Sequence, residues 1–63
     1  MKLKIENMTC GGCAKSVTAT IKNVDSSAVV QIDVATKIVE LETQHLESVL
    51  AALDEDGFPA VAL

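Results

Sequence analysis

The stretch Ala28-Val29-Val30-Gln31-Ile32-Asp33-Val34-Ala35-Thr36-Lys37-Ile38-Val39-Glu40-Leu41-Glu42 decides the fold. Ala28, Val30, Ile32 and Val34 alternate with Val29, Gln31 and Asp33, the period-two pattern of a strand with one buried face. Ala35-Thr36 reads as the turn of a hairpin, although the Asn-Gly signal of a tight one is missing. From Lys37 to Glu42 the alternation resumes, with Val39 and Leu41 on one face and Ile38, Glu40 and Glu42 on the other. Strands joined by so short a connection pair antiparallel.

On the N-terminal side, Ala14, Val17, Ile21 and Val24 recur at spacings of three and four, which predicts a helix with one apolar face. It should begin near Gly12 or Cys13 and stop around Asn23, before a turn at Asp25-Ser26-Ser27. Lys2-Leu3-Lys4-Ile5-Glu6 alternates as a first strand. On the C-terminal side, Leu46, Val49, Leu50 and Leu53 predict a second amphipathic helix, with Gly57 placed just past its end. Phe58-Pro59-Ala60-Val61-Ala62-Leu63 is short and apolar. Pro59 cannot donate to a ladder, so it suits the first residue of an edge strand. The order is β-α-β-β-α-β, an α+β, ferredoxin-like arrangement with two helices on one face of a four-stranded antiparallel sheet. With no linker, low-complexity tract or sequence repeat, residues 1–63 read as one domain.

Composition narrows the function. At 63 residues the chain buries only roughly 60% of its unfolded surface, yet 49% of its residues are hydrophobic, enough for a compact core. Phe58 is the only aromatic, and all five basic residues are Lys against nine acids, a formal net charge of −4. Without Arg the chain lacks the planar fork that grips phosphates and guanine edges, and an acidic domain with one aromatic is unsuited to nucleic acid. No segment approaches the eighteen or so apolar residues of a membrane span. Met1 leads into the alternating Lys2-Leu3-Lys4 rather than an apolar leader, so the expected setting is the cytosol, with reduced thiols.

Between the first strand and first helix lies Met8-Thr9-Cys10-Gly11-Gly12-Cys13, which holds both cysteines. Two thiols separated by two residues can turn toward each other and hold one soft ion, and thiolate selects Cu(I), Zn(II) and their like over Mg or Ca. The glycines leave the backbone free to fold around the ion and the ligands uncovered. Cys13 falls in the first turn of the helix, where unpaired N–H groups and the dipole favour the thiolate. A disulfide across so short a loop would stabilise little.

The Met-Thr-Cys-x-x-Cys core within a β-α-β-β-α-β chain of this size resembles the heavy-metal-associated domain family, over essentially the whole chain. That family includes copper chaperones, the amino-terminal domains of copper- and zinc-exporting P-type ATPases, and a periplasmic mercury-binding protein. The resemblance implies that Cys10 and Cys13 are the metal ligands, with Cys10 the more exposed, and that Met8 packs under the loop. It implies too that Gly57-Phe58 is the glycine-aromatic pair facing the metal site. The chain departs from the family at Asn7, where Gly is usual, and at Asp25-Ser26-Ser27-Ala28, where Gly-Val is common. Zinc-preferring members often carry Asp directly before the first Cys, where this chain has Thr9. The family's mercury proteins are exported.

Two thiolates suit two-coordinate Cu(I), whereas a closed Zn(II) site would need two more ligands. His45, the only histidine, falls at the start of the second helix, away from the motif. The expectation is therefore a Cu(I) carrier, not an enzyme, since no nucleophile–base pair or carboxylate dyad stands out. It would pass one ion by ligand exchange to a copper-transporting P-type ATPase or a similar Cys-x-x-Cys domain. It would act as a monomer, with a metal-bridged dimer as a further state. Hg(II) or Zn(II) carriage, a metal-binding domain cut from an ATPase, and thiol-disulfide redox work are the alternatives. Asp54-Glu55-Asp56, acids at a helix C-terminus where the dipole disfavours them, read as either solvated surface or an acidic docking patch beside the metal loop.

Overall fold

The hairpin forms as the alternation predicts. In the computed structural model, which describes residues 1–9 and 11–63, β2 covers Val29–Asp33 and β3 covers Ile38–Glu42. They run antiparallel, with Val30 opposite Leu41 and Ile32 opposite Val39. The connection is longer than the expected two residues. Asp33 Oδ1 accepts the amides of Ala35 and Thr36 at 3.0 and 3.4 Å, and Lys37, at φ 62°, turns the chain back into β3. The aspartate side chain thus closes a turn that lacks Asn-Gly, and Lys37 belongs to the turn rather than to the strand.

Strand β1, Lys2–Lys4, pairs with β3 on one side and with β4, Val61–Ala62, on the other, both antiparallel. The sheet order is β2-β3-β1-β4. Strand β1 stops two residues short of the expected Glu6, because the Ile5 carbonyl accepts the Met8 amide (3.1 Å) and closes a turn over residues 5–8. Strand β4 is also shorter than 58–63. Pro59 has no amide, and the amides of Gly57 and Phe58 are already bonded to α2 carbonyls, so pairing waits until Val61.

Helix α1 spans Gly11–Val24 and α2 spans Leu46–Glu55. The first helix is one or two residues longer at its start, and one longer at its end, than its apolar spacing indicated. Val17 and Ile21 of α1, Val49 and Leu53 of α2, and Leu3, Val39 and Leu41 of the sheet are fully or almost fully buried in a single cluster. Two helices therefore cover one face of a four-stranded antiparallel sheet, the ferredoxin-like arrangement. At the end of α2, Gly57 takes φ +87°. Its amide reaches the Asp54 carbonyl (3.2 Å), and the Phe58 amide reaches the Leu53 carbonyl (2.8 Å). These two bonds define a Schellman cap with glycine at C′. Among the described residues no helix is long and apolar enough to cross a membrane.

Candidate metal site

Strand β1 delivers the chain to the motif end of the sheet, and the turn over residues 5–8 brings it into α1. Ile5 and Met8, at the two ends of that turn, are fully buried, while Glu6 and Asn7 between them are exposed. Met8 sits in the core beneath the motif. The Glu6 carboxylate stands 3.9 Å from both the Lys4 and the Lys37 ammonium, so one carboxylate bridges two cations at this corner.

Cys13 is the third residue of α1, half-buried and packed against the core cluster. No acidic residue stands in the first turn of this helix, so the positive end of the dipole is left to whatever anion binds there. Cys10, the other expected ligand, lies outside the described residues. Among the described residues no group of three or more His, Cys, Asp or Glu could hold a metal ion.

Opposite the motif, the α2–β4 turn closes the same end of the molecule. The Asn7 side-chain amide donates to the Gly57 carbonyl at 3.0 Å, joining positions fifty residues apart. Phe58, the next residue, is half-buried against the cluster that also receives Cys13 and Met8. The Asn7 bond holds Gly57 against the segment that leads into the motif.

His45 is the residue preceding α2, exposed and without a side-chain capping bond. It belongs to the far end of the molecule. It lines an open cleft of about 570 Å³ with Asp25, Thr43 and Glu42, beyond the C-terminus of α1 and about 20 Å along that helix from Gly11. In this region the Thr43 hydroxyl donates to Asp25 Oδ2 (2.7 Å) and the Ser27 hydroxyl and amide donate to Oδ1 (2.7 and 3.1 Å). These bonds, Thr43 first, lower the Asp25 pKa from 3.8 to about 2.

The acidic run is divided. The Thr20 hydroxyl donates to Asp56 Oδ2, and Thr20 lies about 13 Å along α1 from Gly11. Asp56 thus ties α2 to the middle of α1. Asp54 and Glu55 are exposed, and the run flanks the helix pair rather than encircling the loop. The apolar pattern does not single out Thr20, and Asn7 stands out in the sequence only as a departure from the family, since a threonine on the buried face and an asparagine in a turn gain meaning only from partners far along the chain.

The fold, and the motif between β1 and α1, are those of a known class of small domain. The heavy-metal-associated domain matches residues 2–58, and the chain belongs to that family. It is homologous to copper chaperones. The copper transport protein ATOX1 homolog of Dictyostelium discoideum is 40% identical over 40 residues, which is 64% of this chain and 60% of that protein's length. The copper chaperone Atx1 from Synechocystis PCC6803 has a TM-score of 0.89 at 27% identity, over 97% of this chain and 98% of the other. A structure of a gold binding protein has a TM-score of 0.90 at 46% identity, over 95% and 94%.

Proposed function

We propose that this domain, residues 1–63, is a Cu(I) chaperone that carries one ion between the thiolates of Cys10 and Cys13. The observation that carries this reading is Cys13 in the first turn of α1, a turn free of carboxylates, at the foot of a Met-Thr-Cys-x-x-Cys motif. A helix N-terminus favours anionic sulfur there. Two sulfurs satisfy a monovalent soft ion, whereas Zn(II) asks for four ligands. The protein makes and breaks no covalent bond of a substrate. An incoming thiolate from the acceptor attacks the held ion, a three-coordinate intermediate forms, and one of the original sulfurs leaves.

The acceptor in this account is a Cys-x-x-Cys domain such as that of a copper-transporting P-type ATPase, met in the cytosol. Asp54 and Glu55 offer it an exposed negative flank. Steering of that kind acts on the association rate and weakens as salt rises, the Debye length being about 8 Å at physiological ionic strength.

A second reading has a specific observation behind it, the 46% identity to a gold binding protein. Au(I) has the same soft, two-coordinate preference as Cu(I), so the motif itself does not separate them. Titration of the reduced protein with Cu(I), Au(I), Zn(II) and Hg(II), each against a chelator of known affinity, tests the assignment. One equivalent of Cu(I) held far more tightly than Zn(II) supports the copper reading. Au(I) retained against an excess of Cu(I) would favour the gold one.

A further inference from the structure

The two edges of the sheet, β2 and β4, are not alike. Strand β4 is two residues long and follows Pro59, features that blunt an edge. Strand β2 runs for five residues in unbroken register with β3 and contains no Pro or Lys. Which of its backbone groups face outward follows from its neighbour. Met1 and Leu41 exchange hydrogen bonds, and the Ile5 amide reaches the Lys37 carbonyl, so Lys37, Val39 and Leu41 turn their backbone toward β1. Ile38, Glu40 and Glu42 therefore bond to Asp33, Gln31 and Val29. That leaves the amides and carbonyls of Val30 and Ile32 on the open edge, and among the described residues nothing takes them. At one end this free edge stops at Ala28, whose amide reaches the Asp25 carbonyl (3.0 Å) and whose carbonyl accepts from the Lys22 ammonium (2.8 Å). At the other it stops at the Asp33 turn. Beside it, Val30 and Ile32 line an open groove of about 380 Å³ with Ala14, Lys15, Thr18 and Ala19 of α1.

We propose that this edge pairs with a second copy of the chain, β2 antiparallel to β2, in a dimer that needs no metal. The free groups are self-complementary. With Gln31 opposite the partner's Gln31, Val30 faces the partner's Ile32 and Ile32 the partner's Val30, and each pair exchanges both of its bonds. Other registers set one of these residues against the occupied Ala28 or against Val34 in the turn. The charges agree. Asp33 stands opposite the partner's Val29, next to the Ala28 carbonyl where the partner's Lys22 is held, so opposite charges meet at both ends of the pairing. The half-buried Val30 and Ile32 side chains of the two copies close over one another on the helix side, and the two grooves join. Strand β2 runs parallel to β1, toward the motif end. The two-fold axis therefore sets the two motif ends on opposite flanks, and one ion cannot span them. A contact one strand wide falls below the roughly 1,000 Å² of stable pairs, so it is transient, with a dissociation constant of about 0.1–1 mM.

Gln31 and Glu40 are exposed neighbours on the uncovered face of the sheet, so each accepts substitution without disturbing the core. The test uses the full chain, metal-free, with Cys10→Ser and Cys13→Ser so that no native thiol competes. In that background Gln31→Cys places two thiols on the two-fold axis, at a Cα separation of about 4.5 Å, within the span of a disulfide. Glu40→Cys, one strand further from the axis, sets them about 14 Å apart. In a glutathione redox buffer, at a protein concentration near the dissociation constant, Gln31→Cys should form covalent dimer at least about tenfold faster than Glu40→Cys. In the reduced, metal-free parent the amide NMR shifts of Val30 and Ile32 should move with protein concentration. Gln31→Lys, which sets like charges directly opposite, should raise the fitted dissociation constant about fivefold. Equal cross-linking of the two cysteine variants overturns the pairing. So do Val30 and Ile32 shifts that stay fixed up to about 2 mM, or concentration-dependent shifts centred on Val61 and Ala62, which would assign the contact to β4.

Discussion

Replacing Gly57 by alanine isolates the contribution of backbone conformation at the motif end. Its φ of +87° is a region that L side chains rarely adopt, and a Cβ built there meets nothing within 4 Å. Steric crowding by neighbours is therefore absent, and the whole penalty is that of forcing a Cβ into a left-handed backbone, about 1–2 kcal/mol. For a domain of this size each kcal/mol moves the melting temperature by about 4–8 °C, so Gly57→Ala should melt about 4–16 °C lower. Asn tolerates this region better than other side chains, so Gly57→Asn should lose less. Gly11 serves as the internal control. It too has open space at its Cβ position, but it is helical and its φ is not positive, so Gly11→Ala should be neutral or stabilising by up to about 1 kcal/mol. Thermal melts of the reduced apo-protein, followed by circular dichroism, provide the comparison. Equal melting temperatures for Gly57→Ala and the parent would refute the argument, because they would mean that the cap does not hold the turn in its left-handed form.

Two further outcomes concern the core and the far end of the molecule. Met8 is fully buried beneath the motif, so Met8→Ala should cost about 2–5 kcal/mol in chemical denaturation, whereas Met8→Leu should cost under about 1.5 kcal/mol. Equal losses for the two would contradict core packing. The Asp25 carboxylate, lowered to about 2 by the Thr43 and Ser27 hydroxyls, favours the folded state fully above its unfolded value near 3.8. That contribution is lost as pH falls from about 4 through about 2. Thr43→Val should raise the Asp25 midpoint toward 3.8, as read from its carboxyl carbon by NMR. An unmoved midpoint would mean that the Thr43 bond is not the main cause.

Period-two and helical spacing are read from side-chain polarity, so they found every element that buries one face: Val39 and Leu41 in β3, Val17 and Ile21 in α1, Val49 and Leu53 in α2. Ends were harder to read, since they depend on where each amide finds an acceptor. The Ile5–Met8 bond truncates β1, and the Schellman cap together with Pro59 delays β4 until Val61. Gly57 was legible because glycine past an apolar run has one common use. The Asp33 turn, which does the work of an Asn-Gly pair, was not. At the site, the motif singles out two candidate sulfurs, and the buried Met8 agrees with the family resemblance. Asn7–Gly57 and Thr20–Asp56 join residues 50 and 36 positions apart. No local pattern encodes such pairs, and the engagement of Asp56 with α1 is why the acidic run is not a uniform patch around the loop.

In the proposed assignment two sulfurs, from Cys10 and Cys13, hold the ion without help from the chain's one histidine. Competitive titration with a Cu(I) chelator tests it directly in the parent, Cys10→Ser, Cys13→Ser and His45→Ala proteins. Loss of tight binding in each serine variant, with His45→Ala indistinguishable from the parent, is the expected result. A serine variant that keeps the parent's affinity, or a large loss in His45→Ala, would contradict the account.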